Sequence, residues 1–309
     1  MRIIEPSVEI LEQGPGLEGI YKAIEQAGRN CYQSSHLIGD GTAKPFVERM
    51  IRDGHTAMLE HGTVYLQMPL DKWVDQYKIE VCPGRTHVVT LDETNSAFVT
   101  TNYRVLVEND ALDYLKYLCN KPEPMHELRV TARFLTQIAI TREYNRHRVN
   151  SIAEESTRYC NYSKDKYGNE IAINHPTWIT EEVYNQRMWP ENPVDNGSFL
   201  SYCDIISDRL DEGEFGFKPI DYWLFANMAC EYAYIHLTKL GIPAQEARTI
   251  LPLDTNSTLV HTAFISDWQH FFDLRSRGVT GKPHPDAKVL ADELLKIFTE
   301  NGYIHGSDK

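Results

Sequence analysis

Apolar positions recur along this chain at two spacings, and each spacing predicts its own element. Residues 2 to 10 read as a short strand, and from 17 to 30 a helix carries Ile20, Ile24 and Ala27 on one side. Thr42 is placed to cap a second helix that runs through Met50 and Ile51 and is closed by Gly54. Between Gly62 and Met68 the period drops to two: Val64, Leu66 and Met68 oppose Thr63, Tyr65 and Gln67, which predicts a strand with one covered face. Strand-like text returns at 87 to 91 and around 127 to 135, and a short helix near 138 to 145 leads into an arginine-rich segment. From 161 to 216 the text turns irregular, punctuated by Asn-His-Pro, Trp-Pro-Glu-Asn-Pro and Asp-Asn-Gly. Trp178, Trp189, Phe199 and Tyr202 give that stretch material to pack, so it reads as an insertion with two short helices rather than a linker. Trp223, Ala226, Cys230, Ala233 and Leu237 then alternate by three and four, which predicts a long helix stopped by Gly241 and Pro243. Pro243 opens a further helix with Glu246, Ala247 and Arg248, and a last helix is expected from 285 to 298.

Composition narrows the class. At 309 residues, with 42% hydrophobic and 24% charged positions, the chain has enough apolar material for a substantial core without cross-links. The longest stretch free of Asp, Glu, Lys and Arg runs only from Thr255 to Ser266, well short of the ~20 apolar residues of a membrane span. Glu5 interrupts the apolar start of the chain, so a secretory signal is not expected and the cytoplasm is. Cysteines at 31, 82, 119, 160, 203 and 230 form no Cys-x-x-Cys pair and read as reduced thiols. A formal net charge of -13 repels a nucleic-acid backbone over most of the surface, so an arginine cluster here points to a local pocket for a small anion.

That cluster is the run from Arg146 to Tyr159, with Arg146, His147, Arg148, Glu154, Glu155, Ser156 and Arg158 within fourteen positions. Guanidinium is permanently charged and offers a planar fork of donors, which suits phosphate oxygens and the carbonyl edge of a ring. Clustered arginines are also ordinary as solvated ion-pair networks. The spacing favours a site: Glu154, Ser156 and Arg158 alternate by two, so an extended backbone would put their side chains on one side. Upstream, His55 and His61 flank Glu60 just before a strand, but the spacing is not that of a His-Glu-x-x-His helix and no cysteine lies nearby, so no metal site is expected.

The Arg-His-Arg start, the Ser-x-Arg-Tyr end and the seven residues between Arg148 and Ser156 resemble the signature of flavin-dependent thymidylate synthases. The resemblance extends in order along most of the chain: Arg29 to Tyr32, Gly54-His55 with Glu60-His61, then Gly241-Ile242-Pro243 with Glu246-Ala247-Arg248, then Ser266 to Arg275. It implies a single domain over 1 to 309, of mixed α/β class, with a twisted antiparallel sheet flanked by helices and the 161 to 216 segment inserted. It implies FAD as cofactor, held by His55, Arg146, His147, Arg148, Glu154 and His270. It implies dUMP as substrate, held by Glu143, Arg146, Glu154, Glu155, Ser156, Arg158, Arg248 and Arg275, with Arg275 polarising the uracil ring as the catalytic residue. 5,10-Methylenetetrahydrofolate and NADPH are the implied co-substrates, and a homotetramer with active sites at subunit interfaces is the implied assembly. The chain departs from the pattern at Glu143, where glutamine is usual, at Ala153, where asparagine is common, and at Phe264, Ser266 and Pro283-His284-Pro285.

Cys160 is two residues from Arg158, and a guanidinium neighbour can lower a thiol pKa. A free cysteine is more often a small buried hydrophobe, and the resembled family works without an enzymic thiol, so Cys160 is not expected to be a nucleophile. Two alternatives stay open from sequence: a related enzyme that hydroxymethylates dUMP or acts on dCMP, and a non-catalytic nucleic-acid binder, against which the charge argues.

Overall fold

The computed structural model describes residues 1–75, 79, 81, 83–187, 200, 203–204 and 217–304. The chain divides into two compact units, one of Val8–Phe134, Glu143–Glu155 and Thr258–Lys309, the other of Met1–Ser7, Leu135–Arg142 and Ser156–Ser257. The fold is mixed helix and sheet with antiparallel pairing, and no helix among the described residues is long and apolar enough to cross a membrane.

The first unit starts with β2 (Ser7–Leu11), separated from β1 (Arg2–Ile4) by Glu5-Pro6, so the single strand expected over 2 to 10 is two. Proline has no N–H for a ladder, which explains the break. Helix α1 (Gly16–Cys31) buries Ile20, Ile24 and Ala27 as their spacing requires. Helix α2 (Ala43–Arg52) begins after Thr42, but Thr42 does not cap it: its hydroxyl accepts from Gly39 N and donates to Glu25 Oε2 at 2.9 Å. The backbone at Thr42 is already helical, with φ -81° and ψ -25°, whereas a cap needs an extended residue.

Strand β3 (Thr63–Pro69) buries Val64, Leu66 and Met68, as the alternation demanded. It pairs antiparallel with β5 (Ser96–Asn102), which pairs antiparallel with β4 (His87–Leu91); short helices α3 (Leu70–Asp75) and α4 (Tyr103–Glu108) follow β3 and β5. The inner face of this sheet shares one core with α1, α2 and α4, built from Ile20, Ile24, Phe46, Leu66, Val99 and Leu106. At about 25 cal/mol per Å2 each such side chain contributes ~2 kcal/mol on leaving water.

A four-stranded sheet is ordered β2, β6 (Arg129–Gln137), β9 (Asn256–Phe264), β7 (Ser151–Glu154), with β7 and β9 antiparallel. Helix α5 (Ile138–Tyr144) follows β6. Beside the sheet sits an aromatic cluster: Phe134, Tyr144, Trp268, Phe271, Phe272 and Phe298 are each no more than 1% exposed, with Trp268 Nε1 donating to Val130 O at 3.0 Å. It locks α9 (Ile265–Phe272), the π-helical turn Asp273–Arg277 and α10 (Pro285–Glu300) in place, and Tyr144 Oη donates to Ala287 O at 2.7 Å.

In the second unit β1 pairs with β8 (Ala172–Asn174) in parallel, a pairing outside the antiparallel expectation. Of the 161 to 216 stretch, α6 (Glu181–Asn185) is one of the expected short helices and Trp178 is 45% exposed, while Trp189, Phe199 and Tyr202 lie outside the described residues. The long helix α7 (Pro219–Lys239) forms, but it buries a different stripe. Ile220, Leu224, Met228, Tyr234 and Ile235 face the core, whereas Ala226 and Ala233 of the expected stripe are exposed. Apolar residues occur nearly all round this helix, so spacing could not single out the buried face. Gly241, with φ +94°, follows its end, and α8 (Ala244–Ala247) starts after Pro243.

Candidate active site

Within the first unit, Arg275 is the centre of a small polar cluster. The π-helical turn holds its backbone beside the aromatic cluster. Its Nη1 donates to Glu143 Oε2 at 2.6 Å and its Nη2 to the Glu143 carbonyl at 2.6 Å, a two-point grip that a lysine could not reproduce. Its Nε donates to His147 Nε2 at 3.3 Å. A guanidinium only donates, so His147 accepts there and carries its proton on Nδ1. His147 is buried, and burial, with Arg275 and His270 next, pushes its pKa down to about 4. It is therefore neutral at pH 7. The His147 ring lies 5.9 Å from exposed His270 and 4.9 Å from Phe271.

The expected ligands of the same unit fall in two environments. Arg146 and Arg148 are exposed on the turn that follows α5, with no ion pair to a carboxylate among the described residues. Glu154 ends β7 and accepts from Asn145 Nδ2 at 2.8 Å. Glu155 is 7% exposed and accepts from Gln33 Nε2 at 2.8 Å, so its carboxylate is turned inward. His55 is exposed at the head of a 3-10 turn, Thr56–His61, whose last residue is buried.

In the second unit, Ser156 and Arg158 do not continue the extended strand. β7 ends at Glu154, and the Ser156 carbonyl accepts from Tyr159 N and Cys160 N, making a turn. The expectation that Glu154, Ser156 and Arg158 share one side through alternation is corrected by that turn, which breaks the period of two. A different convergence replaces it. Arg158 Nε donates to Gln245 Oε1 at 3.2 Å and stacks on Tyr159, while Arg248 Nη1 donates to Thr157 Oγ1 at 3.3 Å. Both arginines are exposed, and neither has an ion pair to a carboxylate among the described residues. Cys160 is fully buried in this unit's core beside Tyr162 and Tyr234.

Sequence reasoning missed one buried histidine of the first unit, His261, and named another, His61, only as flanking Glu60. His261 is fully buried on β9; Asn150 Nδ2 lies 3.2 Å from its Nδ1, and its Nε2 has no partner. His61 Nδ1 is 2.8 Å from Thr262 Oγ1, and its Nε2 has no partner either. Burial pushes both down to about 3. The one available signal was His261 standing inside the apolar run of a strand. Arg129 was also missed: it is 6% exposed, donates to Glu60 O, Thr63 Oγ1 and Ser151 Oγ, and lies against the Phe264 ring. Among the described residues no three His, Cys, Asp or Glu side chains are grouped to hold a metal ion.

The family model described as Thymidylate synthase complementing protein, Thy1, matches residues 87–301. No curated protein matches the chain. Among solved structures it is similar to a UMP/dUMP methylase PolB from Streptomyces cacaoi bound with 5-Br dUMP, at 15% identity and a TM-score of 0.40, covering 97% of this chain and 93% of that one. The same methylase bound with 5-Br UMP gives 16% identity and a TM-score of 0.40, covering 97% and 92%.

Proposed function

This chain belongs to the Thy1 family of thymidylate synthase complementing proteins, the flavin-dependent thymidylate synthases, and on that premise we propose that it converts dUMP to dTMP by reductive methylation. 5,10-Methylenetetrahydrofolate is the carbon donor, FAD the bound cofactor and NADPH the reductant. The enzyme works in the cytoplasm as a homotetramer with active sites at subunit interfaces.

The observation that carries this reading is the pair Arg158 and Arg248. They are far apart in the chain, yet both are tied to the Ser156–Cys160 turn or its neighbour Gln245, and neither is neutralised by a carboxylate among the described residues. Two free guanidiniums held by neutral hydrogen bonds are a phosphate clamp, and Ser156 can add a hydroxyl donor. Arg275, in the first unit, is a separate observation in favour of the reading. It is only 17% exposed and its donors are fixed in direction before any ligand arrives. Ionisation at N3 loads electron density onto the ring and C5 before C5 attacks the one-carbon unit, and the negative charge it leaves on the ring oxygens is stabilised by such a donor, an effect worth ~3 kcal/mol, or roughly a hundredfold in rate.

The donor set also fits a flavin dinucleotide. Arg146 and Arg148, exposed on one turn, would hold its diphosphate, with His55, His147, His270 and Glu154 the remaining proposed contacts. The flavin supplies the hydride chemistry when bound. Phe264 is buried, and Ser266 is bonded to Glu127, so neither offers a charge.

An absorption titration tests the proposal. Protein loaded with FAD should be yellow, and dUMP should perturb the flavin bands. Arg158→Ala and Arg248→Ala should each weaken dUMP by roughly 10- to 100-fold, the value of one to two kcal-scale charged hydrogen bonds, without weakening deoxyuridine. A protein that stays colourless with FAD, or that ignores dUMP, refutes it.

A further inference from the structure

Arg275 and Glu143 line one cavity of about 490 Å3, together with Leu274, Thr280, Lys282 and His284. A guanidinium has five N–H donors and no acceptor. Three are committed in this structure: Nε to His147, one on Nη1 to the Glu143 carboxylate, and one on Nη2 to the Glu143 carbonyl. Two donors are left, one on each terminal nitrogen. The Glu143 carboxylate spends a single lone pair of Oε2 on Arg275 and retains acceptor capacity, and at 33% exposure its side chain can be reached from the cavity. The wall therefore presents an acceptor-only group directly beside unused donors.

That pattern matches the edge of one pyrimidine. Uracil offers a carbonyl oxygen, an N3–H and a second carbonyl oxygen, whereas cytosine offers an amino group, a bare N3 lone pair and a carbonyl oxygen. We propose that Glu143 accepts the N3–H of a uracil nucleotide while the spare N–H groups of Arg275 donate to the flanking carbonyl oxygen, which makes Glu143 the residue that selects uracil over cytosine. The proposal rests on the dUMP reading above. A carboxylate facing the cytosine N3 sets two lone pairs against each other and leaves both polar groups unsatisfied, and sites built on such a hydrogen bond reject the mismatched analogue strongly. Glutamine at this position could rotate its amide to donate or accept and would impose the choice less strictly than a carboxylate. Acceptance of the N3–H also pushes electron density towards C5, the atom that must attack.

The test uses the FAD-loaded full-length protein and measures binding of dUMP, dCMP and N3-methyl-dUMP through the flavin spectrum. The wild type should bind N3-methyl-dUMP and dCMP at least about 100-fold more weakly than dUMP. Glu143→Gln should narrow the dUMP-to-dCMP ratio by about tenfold or more, with circular dichroism showing the fold retained. Wild-type protein that binds N3-methyl-dUMP as well as dUMP overturns the assignment, and so does tight wild-type binding of dCMP, in which the amino group would meet Glu143 instead. An unchanged ratio in Glu143→Gln overturns it too. Should Glu143→Gln fail to fold, the N3-methyl comparison on the wild type decides alone. Failure of the wild type to bind dUMP at all strikes the underlying reading, whereas tight dUMP binding without N3 discrimination strikes only the role of Glu143.

Discussion

Acidification from pH 7 to pH 5 should destabilise the first unit steeply, through histidines that are buried as neutral rings. His61 and His261 are pushed down to about 3 and His147 to about 4, in each case chiefly by burial. An unfolded histidine titrates near ~6.5. Because the folded pKa lies below the unfolded one, the unfolded chain takes up protons first as pH falls. Stability is thus complete above the unfolded pKa and is lost on the way down towards pH 4 and then pH 3. Over the interval from pH 7 to pH 5 each ring costs about 2 kcal/mol by this linkage, and the three together about 6 kcal/mol, which is comparable with the whole stability of a typical domain. The assay is urea denaturation followed by tryptophan fluorescence, since Trp268 is buried 6.2 Å from His261. Working between pH 5 and pH 6.5 keeps most carboxylates out of the titration. His261→Asn keeps an acceptor for the Asn150 amide and removes one titrating ring, so its stability should fall less steeply with pH, by about 1 kcal/mol per unit. The comparison is between slopes, so a constant loss from the smaller side chain cancels. Parallel slopes for wild type and His261→Asn would show that His261 is protonated normally in the fold and would refute the reasoning.

Cys160→Ala should retain full turnover and flavin binding and cost about 1 kcal/mol in stability, because the thiol is packed in the second unit's core; abolished turnover with the flavin still bound would reinstate a thiol nucleophile. Gly28→Ala should lower the melting temperature, since a Cβ there would lie 2.6 Å from Phe46 Cζ. Phe46 is held between the Arg29 and Arg49 guanidiniums, each 5.2 Å from its ring, so it cannot swing aside, and overpacking of this kind costs about 1–3 kcal/mol. An unchanged melting curve would show that α1 and α2 separate more readily than their packing implies.

The chemistry of the site was legible where function rests on residue type and order. Arg275 could be picked out because it closes the Ser266 to Arg275 block of the resembled family, and in the fold Glu143 and His147 hold its guanidinium. Its partner Glu143 stood among the implied dUMP ligands, but nothing in a string of letters says that a residue 132 positions away will grip Arg275 twice, once by its carboxylate and once by its backbone carbonyl. The alternation of Glu154, Ser156 and Arg158 misled because it presumed an extended backbone, and the turn at Ser156 removes that premise. Thr42 misled for a related reason: the residue type suits a cap, but its backbone is already helical and its hydroxyl accepts from Gly39 N instead.

Local periodicity determined by itself that α1 buries Ile20, Ile24 and Ala27 and that β3 buries Val64, Leu66 and Met68, because an amphipathic pattern has only one face that leaves water at a gain. Tertiary structure alone decided the buried face of α7, whose apolar residues run nearly all round, and the buried neutral state of His61, His147 and His261. It also decided that Arg158 reaches Gln245 and Arg248 reaches Thr157. Side-chain spacing governs neighbours a few residues apart; desolvation and the pairing of distant charges depend on what the rest of the chain brings alongside.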